Sequence, residues 1–234
     1  MFNHRSINTW GLVLVIVIIG WGFSILHVSP AEALGGEGAS LPGLRQQVLD
    51  KPVYLPQLSM TYPLILWNGN FESGPTAWSE SSLQGWPLIM YTSELPVAPH
   101  SGSWAVWLGG DNNEVAVLSQ NVTVLSQTPY LVFWHYPASE EYDCNYDIAE
   151  VIVNATPVWQ LGLCDSTNTY GWSVLSINLS GYIGNNITLS FRVITDSDWY
   201  SSWLLDDVNF LANPVAMPDA LPAEAPAESS VPRR

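Results

Sequence analysis

The side chains able to do chemistry in this chain of 234 residues are unevenly stocked. Between Tyr62 and Ala212 there are two cysteines, Cys144 and Cys164, two histidines, His100 and His135, and one other cation, Arg192. Carboxylates are plentiful, and two adjacent pairs stand out, Glu140-Glu141 and Asp206-Asp207. Cleaving a glycosidic bond takes two acids facing one bond, whereas neighbours in a strand point to opposite faces, so neither pair supplies that arrangement by itself. Glu140-Glu141 reads instead as a solvated loop beside a cysteine. No H-E-x-x-H, G-x-S-x-G or phosphate-binding glycine loop occurs, and no base accompanies either cysteine, so the chain does not read as an enzyme.

Binding chemistry is better represented. Ten tryptophans lie between Trp67 and Trp203. Sugar rings stack an apolar face on indole while their hydroxyls seek planar polar partners, so exposed Trp or Tyr beside Asp, Glu or Arg is the pattern expected of a carbohydrate site. Strand alternation sets Trp107 opposite Trp104, Val106 and Leu108, and gives His135, Glu150 and Arg192 the parity opposite to apolar neighbours. The expected ligand-facing set is Trp107, His135, Glu150 and Arg192 on a sheet face, with Trp199, Tyr200 and Trp203 in a loop that clamps the ligand. Each has a plainer alternative: most of the tryptophans fill a core, Arg192 pairs with Glu150, and His135 is a partly buried aromatic.

These residues must be positioned by strands. Apolar runs are short, rich in Val, Ile, Trp, Tyr and Thr, and divided by Gly, Asn, Asp, Ser or Pro. Strands are expected near residues 64–72, 86–92, 102–109, 114–124, 129–137, 147–154, 157–163, 171–178, 186–195 and 202–211, which is an all-β pattern for an antiparallel β-sandwich. The run D-I-A-E-V-I-V-N, a turn at A-T-P and the returning V-W-Q-L-G-L form a hairpin that brings Cys144 and Cys164 nearly opposite each other. A disulfide there contributes roughly 3 kcal/mol.

The flanks place the domain outside the cytoplasm. An uncharged apolar run from Trp10 to Leu26 follows His4 and Arg5, and Ala31-Glu32-Ala33 fits a small-residue cleavage rule. Residues 1–33 read as a signal peptide, with an uncleaved membrane anchor as the alternative. A spacer covers 34–61, the domain 62–212, and a disordered Pro/Ala-rich tail 213–234. The net charge of -15 and the scarcity of basic residues exclude a nucleic-acid surface. An acidic surface suits divalent cations or neutral ligands, and it also serves solubility alone.

Taken in order, N-G-N-F-E-S-G at 68–74, S-G-S-W-A-V-W-L-G at 101–109, L-V-F-W-H-Y at 131–136, I-T-L-S-F-R-V at 187–193 and W-L-L-D-D-V-N-F at 203–210 resemble the galactose-binding-like jelly roll. MAM-like domains and many carbohydrate-binding modules of secreted bacterial proteins share that fold. The resemblance implies a non-catalytic module for carbohydrate on a polymer or cell surface, or a MAM-like adhesion or scaffolding domain for an extracellular protein. It also implies a structural calcium ion between the first and last strands, held by Glu72 and Asp206 with Asp207 and Asn70 as further oxygen donors. Alternation agrees in placing Asp206 on the face of Leu204, Val208 and Phe210, where an inward carboxylate needs neutralising. Backbone N–H groups at the strand ends would serve as well.

Overall fold

The computed structural model describes residues 63–215 and 231–234. The export segment, the 34–61 spacer and residues 216–230 of the tail lie outside the described residues. Among the described residues no helix is long and apolar enough to cross a membrane.

β-branched and aromatic residues suit a pleated, half-buried surface, and ten strands form among the described residues. They are β1 Ser79–Ser82, β2 Ile89–Tyr91, β3 Trp104–Gly109, β4 Val115–Thr123, β5 Tyr130–Ser139, β6 Asp147–Val153, β7 Thr156–Leu163, β8 Ser173–Asn178, β9 Asn186–Ile194 and β10 Ser201–Leu211. Two antiparallel five-stranded sheets result, ordered β1-β4-β9-β6-β7 and β2-β3-β10-β5-β8. Only the β2–β3 and β6–β7 connections stay within one sheet; every other connection crosses the sandwich, as in a jelly roll. Inward residues of both sheets meet in one core, with Trp203 fully buried among the rings of Phe133, Phe191 and Trp159. Cys144 and Cys164 are bonded across the base of the β6–β7 hairpin, Cα atoms 4.8 Å apart, as the alternation of that hairpin requires.

Two expectations fail for local reasons. Residues 64–72 form no strand, because Asn68 and Phe71 adopt left-handed backbone (φ 53° and 58°). The Asn68 side chain closes the turn, its Nδ2 donating to the Gly74 and Thr76 carbonyls and its Oδ1 accepting from the Ser73 N–H. Phe71 is nonetheless fully buried, while Glu72 is exposed. The first strand is instead β1, whose sequence S-E-S-S has no apolar residue to announce it.

The second failure concerns β10. A bulge shifts its register against β5 between Asp206 and Asn209, with Asp207 at φ 48°. The extra residue reverses the alternation. Trp203 and Leu205 face the core before it, Val208 and Phe210 after it, and Leu204 and Asp206 lie on the outer face opposite Tyr136 and Trp134. Asp206 is therefore not aimed at the core; it is buried beneath the loop preceding β3.

The turn and the bulge meet at Gly69, whose carbonyl accepts the Val208 N–H at 2.8 Å. A Cβ at Gly69 would run into the Val208 carbonyl. Gly69→Ala is expected to cost about 2 kcal/mol through backbone displacement, read as a lowered midpoint in chemical denaturation, whereas Gly181→Ala, with open space around it and no left-handed backbone, should leave the midpoint nearly unchanged.

Candidate functional site

The structure separates the residues expected on one sheet face. Trp107 lies on the outer face of the second sheet, opposite Leu204 of β10. It is 5% exposed. The last four residues, read in sequence as part of a solvated tail, pack over it: the Arg234 guanidinium lies 4.4 Å from the indole centroid, and Nε and Nη1 donate to the Gly109 and Pro87 carbonyls at 3.0 and 2.9 Å. Ser202 Oγ links the two, accepting the Trp107 indole N–H and donating to the Pro232 carbonyl. Burial lowers the Arg234 guanidinium to about 10.

Glu150 and Arg192 are a registered pair on adjacent strands of the other sheet, joined by Nε–Oε2 at 2.7 Å and a second Nη2 contact, with Gln160 also donating to Glu150. This is the plainer of their two expected roles. His135 faces the core, edge-on to Phe133 and Trp159, and its Nδ1 accepts the Trp203 indole N–H at 3.1 Å. Trp134 and Tyr136 occupy the outward positions of β5 instead. Trp203 is a core residue and cannot clamp a ligand. Trp107, His135, Glu150 and Trp203 are thus all withdrawn from solvent: the C-terminal residues cover Trp107, the core takes His135 and Trp203, and Arg192 and Gln160 hold Glu150.

The acids of the resemblance gather on one loop. Glu72 Oε1 accepts the backbone N–H groups of Ser103 and Trp104, Asp206 accepts those of Ser101 and Asp207, and Asp207 accepts from Ser101 Oγ and meets His100 Nδ1 at 2.7 Å. His100 stacks on Trp134 with centroids 3.8 Å apart. Backbone N–H groups of Ser101, Ser103, Trp104 and Asp207 thus supply hydrogen bonds to Glu72 and Asp206. Asn70 and Asp207 line an open cleft of about 270 Å³ with Leu66, Gly69, Val208 and Asn209. Burial, more than the neighbouring Asp207 charge, raises the Asp206 carboxyl to about 7.

An acidic group able to hold a metal ion does exist, but elsewhere: Glu141, Asp147 and Asp196. Glu141 is 4% exposed, so its loop is not the solvated one expected. The same end of the sandwich carries several exposed aromatics, although Trp67 and Tyr91 are exposed elsewhere. Tyr142 (84% exposed) and Trp199 (52%) stand at 89° with centroids 6.0 Å apart. Tyr146 and Trp86 are also exposed, Trp86 Nε1 donates to Asp111, and the β3–β4 and β9–β10 loops are tied by Asn113 N–H to the Asp196 carbonyl. Tyr200 is half-buried under the Arg233 guanidinium. Of the expected clamp only Trp199, and in part Tyr200, meets solvent. Tyr142, Tyr146 and Trp86 went unread in the sequence because nothing but loop context distinguishes an exposed aromatic from a core one.

No family model matches the chain, and neither does any curated protein. Among solved structures it is similar to a carbohydrate-binding module, TmCBM61, in complex with β-1,4-galactotriose (17% identity, 63% of this chain and 97% of that one, TM-score 0.46). It is also similar to the K3 cleaved adhesin domain of Lys-gingipain from Porphyromonas gingivalis (17%, 63% and 97%, 0.44). A third is the family 11 carbohydrate-binding module of a cellulosomal cellulase of Clostridium thermocellum (13%, 64% and 94%, 0.39). At such low identity and overlap none of them assigns this chain a ligand.

His135 yields a pH prediction. Its surroundings are apolar and burial lowers its pKa from 6.5 to about 4. Between those values the unfolded chain binds a proton that the folded chain refuses, so this contribution, worth about 3 kcal/mol at most, is intact above pH 6.5 and lost as pH falls towards 4. His135→Gln keeps an acceptor for the Trp203 N–H and should flatten the acid limb of the Tm-versus-pH curve; an unaltered limb would show that His135 titrates normally.

Proposed function

We propose that this protein is an exported, non-catalytic binding module that recognises carbohydrate at the loop end of the sandwich. The observation behind this reading is the Tyr142–Trp199 pair: two rings at right angles, open to solvent, on loops anchored to the framework. Trp199 holds left-handed backbone at φ 46°, an uncommon state for a bulky residue that persists only where its surroundings impose it. An indole face so presented stacks on a sugar ring, and Asp143 and Asp198 in the same loops, with Asp111 in the neighbouring β3–β4 loop, accept from hydroxyl groups. The disulfide supports export to an oxidising compartment. Glu141 and Asp147 are acids with raised pKa, as a general acid requires, yet their burial keeps them from touching a glycosidic bond.

Calcium at Asn70, Glu72, Asp206 and Asp207 completes the proposal. The cleft lined by Asn70 and Asp207 adjoins the Gly69–Val208 contact, where an ion would join the N-terminal turn to the β10 bulge.

The deciding experiment is a glycan array followed by affinity measurement on the best glycan. Wild type is expected to bind, and Trp199→Ala and Tyr142→Ala each to lose at least about tenfold in affinity, equivalent to about 1.4 kcal/mol, with far-UV circular dichroism unchanged. Absence of binding to any glycan would reject the carbohydrate reading in favour of a protein ligand, and full affinity in both variants would reject the Tyr142–Trp199 pair as its site.

A further inference from the structure

Most buried acids of this domain are satisfied. Glu114, 1% exposed, accepts from Ser82 Oγ and from the N–H groups of Leu83 and Gln84. Glu150 has Arg192, and Asp206 has two backbone donors. One group is different. Glu141 lies just after β5, Asp147 opens β6, and Asp196 lies just after β9; a ligand oxygen of each is within 4.8 Å of the other two. Glu141 is 4% and Asp147 0% exposed. Asp147 Oδ1 accepts the Asp196 N–H at 2.8 Å, but Asp147 Oδ2 and Glu141 Oε1 have no hydrogen-bond partner.

No cation among the described residues relieves them. Arg192 is held by Glu150, Arg233 by Glu140, Arg234 lies over Trp107, His100 meets Asp207, and His135 is neutral in the core. Asp143 and Asp198 add to the negative field at Glu141. Burial, and then the facing carboxylates, raise the pKa of Glu141, and burial does so at Asp147 although the Ser201 hydroxyl and the Asp196 N–H offset part of it. Two orphaned buried oxygens from separate segments, converging with a third acid, have the geometry of ligands. Oxygens bound to one calcium ion at about 2.3–2.6 Å lie up to roughly 5 Å apart, and a set of hard carboxylates suits that ion, with carbonyls and water completing six to eight ligands.

We propose that Glu141, Asp147 and Asp196 form a calcium site that ties the β5–β6 loop to the β9–β10 loop. It is separate from the Glu72–Asp206 region and follows from different residues. The ion joins the start of β6 to the two loops that carry Tyr142 and Trp199, just ahead of each aromatic in sequence. Without it, mutual repulsion of the three acids works to part these loops. That consequence for ligand binding rests on the reading of the Tyr142–Trp199 pair given above; the ion itself does not.

Thermal melts of the full exported domain with calcium or with chelator, run on wild type, Asp147→Asn, Glu141→Gln and Glu72→Gln, test this site apart from the other. Calcium should raise Tm in wild type and in Glu72→Gln, and the shift should be lost or at least halved in Asp147→Asn and Glu141→Gln. In chelator Asp147→Asn should melt no lower than wild type, since it removes a repelling charge. Terbium, a calcium surrogate, should show emission sensitised by tryptophan excitation, displaced by calcium and lost in Asp147→Asn or, should that variant fold poorly, in Glu141→Gln. No calcium shift in wild type, or a full shift in both acid variants, overturns the site. A calcium shift that persists without glycan binding supports the ion while removing the carbohydrate reading.

Discussion

A shortage of cations governs how this domain is built. Among the described residues five carboxylates are withdrawn from water, the strands contain a single arginine, and of those acids only Glu150 is paired with it. A buried carboxylate without donors is costly, so the others must be met by backbone N–H groups or by something the chain does not supply. Glu114 gathers the β1–β2 turn, and Asp206 together with exposed Glu72 gathers residues 101–104. Each such acid turns a loop into part of the framework. Glu141 and Asp147 are the exception, since two of their oxygens find no donor.

The aromatic residues obey a second constraint that follows from the first. A sandwich with one covered face per sheet would leave every second tryptophan outside. Here the loop ending at Trp104 and the segment Val231–Arg234 also lie on the outer face of the second sheet, so Trp107, Leu204 and Trp134 are sheltered there. The loop is held down by Asp206 and Asp207, the tail by the indole of Trp107 and neighbouring carbonyls. Tyr142 and Trp199, by contrast, meet in the open at one end of the sandwich beside the disulfide and the acid cluster, while Trp67 and Tyr91 are exposed elsewhere. The open aromatic pair and the acid cluster thus share the same loops.

Much of this was legible from residue patterns. Alternation and turn residues located β2 to β10 within a few positions, and the D-I-A-E-V-I-V-N hairpin placed the cysteines opposite each other. The Glu150–Arg192 pair was foreseen only as one choice for a lone arginine among many acids; the register of β6 against β9, which no spacing in the chain encodes, made it. Where the period breaks, the reading broke too. One extra residue at Asp207 put Asp206 on the other face, and S-E-S-S, which pairs through its backbone alone, left no apolar trace of β1.

By itself, then, the sequence determined the all-β sandwich, the disulfide hairpin, the acidic and nearly cation-free character of the domain, and a surplus of tryptophan. These are properties of local period, composition and spacing, which need no partner in space. Tertiary structure decided which tryptophans meet solvent, that His135 and Trp203 belong to the core, and that Glu141, Asp147 and Asp196 converge. Burial and convergence depend on segments as far apart as β5 and β9–β10, joined only when the sheets close, and no spacing along the chain encodes that meeting.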